Sequence, residues 1–466
     1  MKKFGCFVAA VIIGGSLYAQ SNLNNQKISG YKGIWFTLGQ FSEHGDKYSG
    51  GLGTYTAKHR PLAIYSAKAK KTFFVYGGTT AGEDKHLLCM ISFYDHKTGM
   101  VPKPTVVYDK LGVDDPHDDP SLAIDKDGYL WVFVSGRGQR RPGFKYRSDN
   151  PFDINSFTKI SQEEMTYPQP IWDDDLGFFH FFTKYTGVRE LYFESSKDGE
   201  NWTEDVKLAG IIEEGAEKSG HYQVSGKDGD RICTIFNRHP NGNVDKRTDL
   251  YYAQSLDYGK TWTAIDGKAL DLPMTTVECG ARVIDYASQG RNVYLKDLNF
   301  DKSGMPICLY ITSQGHQPGP ENGPREWKVT YYTGDEWKTN TICSSDHNYD
   351  MGSLYVNGKT WWVIGPIGEG PQKMQTGGEI EIWESKDSGN SWALKKEVTS
   401  KSTNNHTYVR RPVDAKNPFY SFWADGNPKE FSRSFLYFSD AKGERVYQLP
   451  YDMTSEYIKP KLINQP

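Results

Sequence analysis

The sequence has little excess charge of either sign. Its 55 lysine and arginine residues face 58 aspartate and glutamate residues, which leaves a formal net charge of −3 over 466 residues. Nonspecific binding to nucleic acid needs a basic surface, so this balance argues against a nucleic-acid partner. Segments rich in proline, serine or one charge are also lacking, so no interdomain linker is predicted.

Long hydrophobic runs are scarce as well. The one long apolar run covers residues 7–17, follows Lys2 and Lys3, and ends shortly before Gln20. It is too short for a membrane span, so it predicts a signal peptide over residues 1–19 with cleavage after Ala19. We therefore expect a periplasmic or secreted protein without a membrane anchor.

Cysteines are few, scattered and odd in number once the signal peptide is removed. This pattern predicts small buried hydrophobic residues rather than a disulfide framework or a zinc cluster. The five residues are Cys89, Cys233, Cys279, Cys308 and Cys343.

Aromatic residues and glycine are abundant. The chain contains 30 tyrosines, 23 phenylalanines, 12 tryptophans and 47 glycines. This composition favours aromatic-rich strands joined by glycine-rich turns. We expect residues 20–466 to form a single all-β catalytic domain and to be monomeric.

Two internal repeats specify the architecture. Residues 255–262 and 385–392 fit the pattern S-x-D-x-G-x-[TS]-W, and residues 196–202 are a shortened relative. These are Asp-boxes, hairpin turns with a structural role in which Asp and Ser side chains bond to backbone N–H groups. The second repeat is a pair of strands whose second member is aromatic or β-branched, and it occurs seven times, ending at residues 73–78, 130–136, 178–183, 232–237, 307–313, 361–365 and 419–423.

These repeats predict a seven-bladed β-propeller of four-stranded antiparallel sheets. We expect residues 31–38 and 445–449 to share one blade and close the ring, so that no sheet edge stays open.

Candidate ligand-binding residues stand at one end of the strand pairs. The two strands of a pair are antiparallel, so residues before the first strand and after the second lie at the same end. The predicted binding residues there are His59, His117, Arg137, His221, Tyr222, Arg238 and His239.

Cations and aromatic hydroxyls without an opposed carboxylate pair suit an anionic sugar. Arginine binds a uronate carboxylate in a bidentate manner, and a tyrosine or histidine can abstract the proton at C5 beside it. Elimination across C4–C5 would follow.

Three segments carry a resemblance to a known family: residues 33–59, 115–138 and 221–240. They resemble the bacterial neuraminidase-repeat (BNR) propellers that include α-L-rhamnosidases of glycoside hydrolase family 145, rhamnose-glucuronate lyases and ulvan lyases. The resemblance implies an exo-α-L-rhamnosidase that releases terminal L-rhamnose α-1,4-linked to D-glucuronic acid in arabinogalactan-type polysaccharide. Its single catalytic histidine would lie on the face opposite the lyase site.

The resemblance places that histidine in the loop of residues 40–48. His44 is the candidate proton donor, and Gln40 is the alternative position, because inactive relatives carry glutamine where the histidine belongs. Lys47 and Tyr48 of the same loop are predicted to bind substrate. Glycines in this loop let the backbone approach a ligand closely.

The lyase branch of the resemblance supplies the alternative function. His117 resembles the histidine of the HDNP motif of that branch, and Tyr222 and Arg238 have the spacing of its tyrosine and carboxylate-neutralising arginine. Arg137 replaces a second histidine in an SGH sequence. A polysaccharide lyase at the same linkage and a catalytically silent glycan-binding propeller therefore remain alternatives to the hydrolase.

The expected partner is a uronate-containing plant or algal polysaccharide. No cofactor or catalytic metal is predicted. A structural calcium ion at the acidic turn of residues 173–175 is the one alternative, although an exposed acidic turn is the commoner meaning of such a segment.

Overall fold

The structure is a computed structural model that describes residues 22–81, 86–112 and 115–463. The predicted signal peptide lies outside these ranges. The described residues are mainly in β-strands, and the helical elements among them are the short 3₁₀ turns Pro116–Asp118, Pro240–Gly242, Val244–Lys246 and Pro320–Asn322. Within the described ranges, no helix has the length and apolar character needed to span a membrane.

Seven antiparallel sheets follow one another along the chain, and within each sheet the strands pair in the order in which they occur in the sequence. Sheet 1 consists of Ala63–Ser66, Lys71–Gly78, Leu88–Asp95 and Thr105–Asp109. Sheet 2 consists of Pro120–Ile124, Leu130–Val134, Gly143–Ser148 and Phe157–Glu163. Sheet 3 consists of Thr166–Asp173, Gly177–Lys184, Glu190–Ser196 and Val206–Ala209.

The remaining four sheets repeat this pattern. Sheet 4 consists of His221–Asp228, Arg231–Arg238, Thr248–Ser255 and Arg282–Ile284. Sheet 5 consists of Asn292–Phe300, Pro306–Ser313, Arg325–Tyr332 and Trp337–Ser345. Sheet 6 consists of Ser353–Asn357, Thr360–Gly368, Glu379–Ser385 and Ala393–Glu397. Sheet 7 has a fifth strand and consists of Asn405–Arg410, Ser421–Gly426, Leu436–Ser439, Val446–Gln448 and Lys461–Ile463.

The hydrophobic core is divided among the interfaces between neighbouring sheets. Alternate side chains of a strand point to opposite faces, so each inner strand contributes to two interfaces. Apolar clusters lie between sheets 1 and 2, 2 and 3, 3 and 4, 4 and 5, 5 and 6, and 6 and 7. A further cluster joins sheet 7 to sheet 1 and closes the ring. The prediction of an all-β propeller of four-stranded antiparallel sheets is confirmed.

The ring closes differently from the prediction. Gly33–Thr37 does not join a blade with residues 445–449, because it pairs with Ser432–Ser434 and Ser49–Gly51 in a separate three-stranded sheet. Side-chain packing closes the ring instead, and the ring of Phe74 in sheet 1 stacks on Phe419 beside sheet 7 with centroids 5.2 Å apart.

Smaller pairings outside the first four strands of each sheet complete the ring. Tyr457–Ile458 pairs with Val101–Pro102, which follows the third strand of sheet 1. The adjacent Lys461–Ile463 belongs to sheet 7, so the C-terminal segment contacts both sides of the closure. The hairpin Phe41–Ser42 and Gly45–Asp46 lies on the side of the ring where the first strands begin.

The Asp-boxes occupy equivalent turns between the third and fourth strands of sheets 3, 4 and 6. In the second of them, Ser255 Oγ accepts from the Gly259 amide at 2.7 Å, and Asp257 Oδ1 accepts from the Thr261 amide at 2.9 Å. Trp262 is buried, whereas Trp202 and Trp392 are half-buried and pack against the apolar clusters between sheets 2 and 3 and between sheets 5 and 6. All five cysteines are free thiols, as expected. Cys89, Cys233 and Cys308 are buried as predicted, whereas Cys279 and Cys343 are partly exposed.

We call the side where first strands begin and second strands end the front face, and the opposite side the back face. In antiparallel sheets, loops between second and third strands also lie on the front face. Residues before first strands, after second strands and before third strands therefore all lie on the front face, around the axis.

Candidate functional site

A cavity of about 160 Å³ opens on the front face near the axis of the ring. It is lined by Gln40, Lys47, Tyr48, Tyr55, Thr56, Lys58, His117, Arg137, Tyr167, Arg189, Tyr222, Val244, Arg247 and Tyr349. We call it the front cavity. A larger cavity of about 430 Å³ occupies the axis on the back face and contains none of the predicted site residues.

The strand geometry explains which residues reach the front cavity. His117 lies in the 3₁₀ turn Pro116–Asp118, which ends two residues before sheet 2, and Tyr222 lies at the start of sheet 4. Arg137, Arg189 and Arg247 come from the loops between the second and third strands of sheets 2, 3 and 4. Tyrosine and arginine side chains from different sheets thus meet at one point.

Asp115 fixes the orientation and tautomer of His117. Its Oδ1 atom lies 2.5 Å from Nδ1 of His117 and accepts the proton of that nitrogen, which leaves the lone pair on Nε2. Arg137 Nη1 donates to the other carboxylate oxygen at 2.9 Å, and Arg141 donates to the same oxygen at 2.6 Å. His59 supports the group from behind, since its Nε2 atom donates to the backbone carbonyl of His117 at 3.1 Å.

The charges of this group are well defined. Burial alone would raise the pKa of Asp115, but the charge and hydrogen bonds of His117 and the charge of Arg137 outweigh burial and hold that pKa well below its usual range. Burial lowers the pKa of His117, and Asp115 offsets only part of this effect. At neutral pH the pair therefore consists of a carboxylate and a neutral imidazole.

Tyr222 lies in a strongly cationic part of the front cavity. Its ring lies 4.7 Å from Lys58 Nζ, 5.1 Å from the guanidinium carbon of Arg247 and 5.7 Å from that of Arg189. The ring of Tyr167 meets it edge-on with centroids 5.5 Å apart. Tyr222 is only 8% exposed, so these charges act on it with little screening.

These neighbours change the acidity of the phenol. Burial raises the pKa of Tyr222, but the charges of Arg189 and Arg247 and a hydrogen bond from Tyr167 outweigh burial and lower the pKa below its usual value of 10.0. Burial raises the pKa of Tyr167 well above 10.0, so Tyr167 stays protonated and its hydroxyl donates a hydrogen bond to the oxygen of Tyr222. Tyr222 is thus poised to act as a phenolate base.

The cavity wall carries five cationic side chains, which are Lys47, Lys58, Arg137, Arg189 and Arg247. Among the described residues, no aspartate or glutamate lines the cavity itself. Such a surface attracts anions, and guanidinium groups pair with carboxylates in a bidentate manner.

The hairpin of residues 38–48 forms one side of the cavity. Asp46 is buried and organises it, because its carboxylate accepts from the amides of Leu38 and Gln40, each at 3.0 Å. Lys47 pairs with Asp245 in the loop after the second strand of sheet 4. Gln40 and Tyr48 thereby join Lys47 at the cavity wall.

His44 does not line the front cavity. It occupies the turn of the hairpin, with Nε2 3.5 Å from Glu321, and its carbonyl accepts from Gln375. The side chain of His44 lies against Gly319. Gln40, the alternative catalytic position, does line the cavity.

Three other predicted residues lie behind the cavity wall. His221 is buried, where Nδ1 donates to the Asn237 carbonyl and Nε2 accepts from the Ile211 amide, each at 2.9 Å. His239 is buried beneath Tyr222, with ring centroids 4.7 Å apart. Arg238 points into an ion pair with Asp249 at 2.6 Å and with Glu213 at 2.5 Å.

Arg238 and His221 therefore do not line the cavity, because their polar atoms bond to the partners named above. Both ring nitrogens of His239 are buried without a hydrogen-bond partner among the described residues. Of the predicted residues, the structure brings together Gln40, Lys47, Tyr48, His117, Arg137 and Tyr222.

Sequence reasoning missed Lys58, Arg189, Arg247, Tyr167's hydrogen bond and Tyr349. A usable signal exists for the two arginines, since each directly precedes a third strand, at Glu190–Ser196 and Thr248–Ser255. Loops between second and third strands reach the same face as the positions before first strands and after second strands.

One cluster has the composition of a metal site. Side-chain atoms of Glu163 in sheet 2 and of His180 and Glu194 in sheet 3 lie within 4.8 Å of one another. The ammonium group of Lys145 already lies between the two carboxylates, 2.6 Å from Glu163 and 2.7 Å from Glu194. A divalent cation would have to displace this buried lysine, so the residues present do not fit a metal.

The acidic turn of residues 173–175 has no comparable cluster of converging ligands. Asp173 accepts from two backbone amides of its own turn and pairs with Lys227 at 2.7 Å. Asp174 accepts from the indole of Trp172 at 2.8 Å. The carboxylates of Asp173 and Asp174 are therefore used to stabilise the turn and its neighbours.

Comparisons with known proteins identify relatives of this architecture. The model of the family described as "BNR repeat-containing family member" matches residues 91–345. An ulvan lyase from Alteromonas sp. (strain LOR) is 20% identical over 258 residues, or 48% of this chain and 52% of the relative. An ulvan lyase from Nonlabens ulvanivorans is 22% identical over 349 residues, or 65% of this chain and 69% of the relative. The chain thus spans about half the length of the first of these curated relatives.

A solved structure shares the fold. A polysaccharide lyase of the PL25 ulvan lyase type, bound to -[GlcA(1-4)Rha3S]-, has a TM-score of 0.70 and 18% sequence identity, with 87% of this chain and 96% of that chain covered.

These findings correct the predicted enzyme class. The relatives are lyases, so the prediction of a glycoside hydrolase is wrong. The resemblance to BNR propellers and ulvan lyases is supported, whereas the similarity to family 145 α-L-rhamnosidases is not confirmed.

Proposed function

The chain belongs to the BNR repeat-containing family, and from this premise we propose that it is a polysaccharide lyase. Its substrate is a uronate-containing polysaccharide of the ulvan type, cleaved at the rhamnose–uronate linkage by β-elimination. The ulvan lyase relatives support this substrate, and the cationic front cavity supports binding of a uronate.

The observation that carries the proposal is the environment of Tyr222. A buried phenol between Arg189 and Arg247, with a lowered pKa, is a base beside groups that bind a carboxylate. Elimination from a uronate requires this combination, because the C5 proton becomes acidic only when the adjacent carboxylate is neutralised.

In the proposed reaction, the uronate carboxylate binds the guanidinium groups of Arg189 and Arg247. The phenolate of Tyr222 takes the C5 proton, and the arginines stabilise the negative charge that develops on the carboxylate oxygens. The neutral His117, with its lone pair on Nε2, accepts a hydrogen bond from a sugar hydroxyl and orients the ring. The C4–O bond then breaks and leaves an unsaturated uronate.

The test is the appearance of a product that absorbs ultraviolet light when the protein is mixed with ulvan. We expect the wild-type protein to form it, and Tyr222→Phe to lose at least about 100-fold in rate while calorimetry shows little change in ulvan binding. Tyr65→Phe is the matched control, because Tyr65 packs on His96 outside the cavity and should keep full activity.

Two results would contradict the proposal. Wild-type protein that binds ulvan without forming the product would be a glycan-binding propeller. Equal rates for wild type and Tyr222→Phe would assign the base to another residue.

A further inference from the structure

Elimination of a sugar leaving group moves two protons. One leaves C5 with the base, and another must reach the oxygen that departs from C4, because an alkoxide is a poor leaving group. The front cavity is well supplied with acceptors, since both Tyr222 and the Nε2 atom of His117 accept protons. The proton donor must therefore be another group of the cavity wall.

Most cationic groups of the wall are unsuitable donors. The three arginines hold their protons at any pH at which a protein is folded. Lys47 is committed to its ion pair with Asp245. Burial raises the pKa values of Tyr48 and Tyr349, which makes their hydroxyls weaker acids.

Lys58 differs from these groups. It precedes sheet 1 and is only 9% exposed, and its amide donates to Thr56 Oγ1 at 3.1 Å, which fixes the turn that carries it. Its Nζ atom lies over the ring of Tyr222, 4.7 Å from the centroid, at the wall of the cavity.

The surroundings of the Lys58 ammonium contain cations instead of a counterion. The charged groups that act on it are Arg247, Lys296 and Arg410, and among the residues that the structure describes it forms no ion pair with a carboxylate. A buried ammonium without an anionic partner is costly, and a bound anionic substrate or loss of the proton relieves this cost.

We propose that Lys58 is the proton donor to the leaving oxygen in the elimination, a role that rests on the proposed lyase function. The same site then holds its base and its acid side by side, with the phenol of Tyr222 beneath the ammonium of Lys58.

The step balances in atoms and charge. The C5 proton passes to the phenolate of Tyr222, and the electron pair of the C5–H bond forms the C4=C5 double bond. The C4–O bond breaks with its electron pair on oxygen, which takes a proton from Lys58. Tyr222 ends as a phenol and Lys58 as an amine, and proton exchange with solvent restores both.

Electrostatics support this assignment. Burial and then the charges of Arg247, Lys296 and Arg410 lower the pKa of Lys58 well below its usual 10.5. General acids work best when their pKa lies near the working pH, so a lysine with a lowered pKa is a better donor than a surface lysine.

The test compares two substrates that differ in their need for an acid. One is an ulvan oligosaccharide, and the other is a uronate with 4-nitrophenolate at C4, which leaves without a proton. We expect Lys58→Met to lose at least about 100-fold on the oligosaccharide and less than about 10-fold on the nitrophenyl substrate. Near-ultraviolet circular dichroism checks that the variant is folded.

Lys58→Arg provides the second measurement and keeps the positive charge without a transferable proton. It should be as slow as Lys58→Met on the oligosaccharide and active on the nitrophenyl substrate. Equal losses on both substrates, or recovery of oligosaccharide cleavage by Lys58→Arg, would overturn the proposal, because Lys58 would then act through charge or binding. Wild-type protein inactive on both substrates would instead refute the lyase function itself.

Discussion

Arg189→Gln tests how the lowered pKa of Tyr222 arises. The guanidinium carbon of Arg189 lies 5.7 Å from the Tyr222 ring centroid, and its Nη1 atom is buried with no hydrogen-bond partner among the described residues. The substitution therefore removes a positive charge without leaving a paired carboxylate behind.

The magnitude follows from Coulomb's law. If the 5.7 Å from the guanidinium carbon to the ring centroid is taken as the charge separation, an effective dielectric constant of about 20 gives an attraction of about 3 kcal/mol, or about two pKa units. Solvent screens the partly exposed side of Arg189, so we expect a shift of about one to two units.

The sign is determined by which form Arg189 favours. Arg189 stabilises the charged phenolate, so its removal raises the pKa of Tyr222. The acidic limb of the kcat/KM profile reports the base of the free enzyme and should move to higher pH by the same amount. The assay is the initial rate of ultraviolet-absorbing product from ulvan across the pH range.

Arg147→Gln is the matched control. Arg147 lies over Tyr129 and pairs with Glu200 outside the front cavity, so its loss should leave the limb in place. An acidic limb of Arg189→Gln that coincides with that of the wild type would refute the reasoning, because Tyr222 would then not be the group that titrates.

Two further predictions concern residues outside the cavity. Arg238→Ala leaves Asp249 buried without its partner, so it should destabilise the fold by about 3 kcal/mol in urea unfolding, while KM for ulvan stays at the wild-type value; a raised KM with unchanged stability would place Arg238 at the substrate. Export of the native protein should yield a mature chain beginning near Gln20, and N-terminal sequencing that finds Met1 retained would contradict it.

The repeats made much of the fold predictable from the sequence. Each of the seven aromatic segments falls in or overlaps the second strand of one sheet, because this strand packs on both sides and needs apolar residues at nearly every position. The Asp-boxes were predictable for a different reason, since their bonds lie within a single turn. The closure was not predictable, because it depends on packing between residues more than 300 positions apart, such as Phe74 and Phe419.

The site was predictable only in part. The cavity residues His117 and Tyr222 were predictable, because both stand near the start of a first strand and antiparallel pairing places all such positions on the same face. The direction of a side chain near a strand end depends on its partners, and Asp249 turns Arg238 inward in a way that no spacing reveals. Lys58 was not predictable, because its environment is formed by Arg247 and Lys296, which are distant in sequence.

The closure between sheets 7 and 1 has a consequence for the order of assembly during synthesis. Six interfaces join sheets that are adjacent in sequence, so each can form as soon as the next sheet has been made. The seventh joins the two ends of the chain, and the apolar side of sheet 1 with Phe74 and Tyr76 stays uncovered until Phe419 and Phe438 have been synthesised. Bringing such distant segments together costs loop entropy that only the completed interface repays. The ring of the propeller can therefore close only after the last strands of the chain have been synthesised.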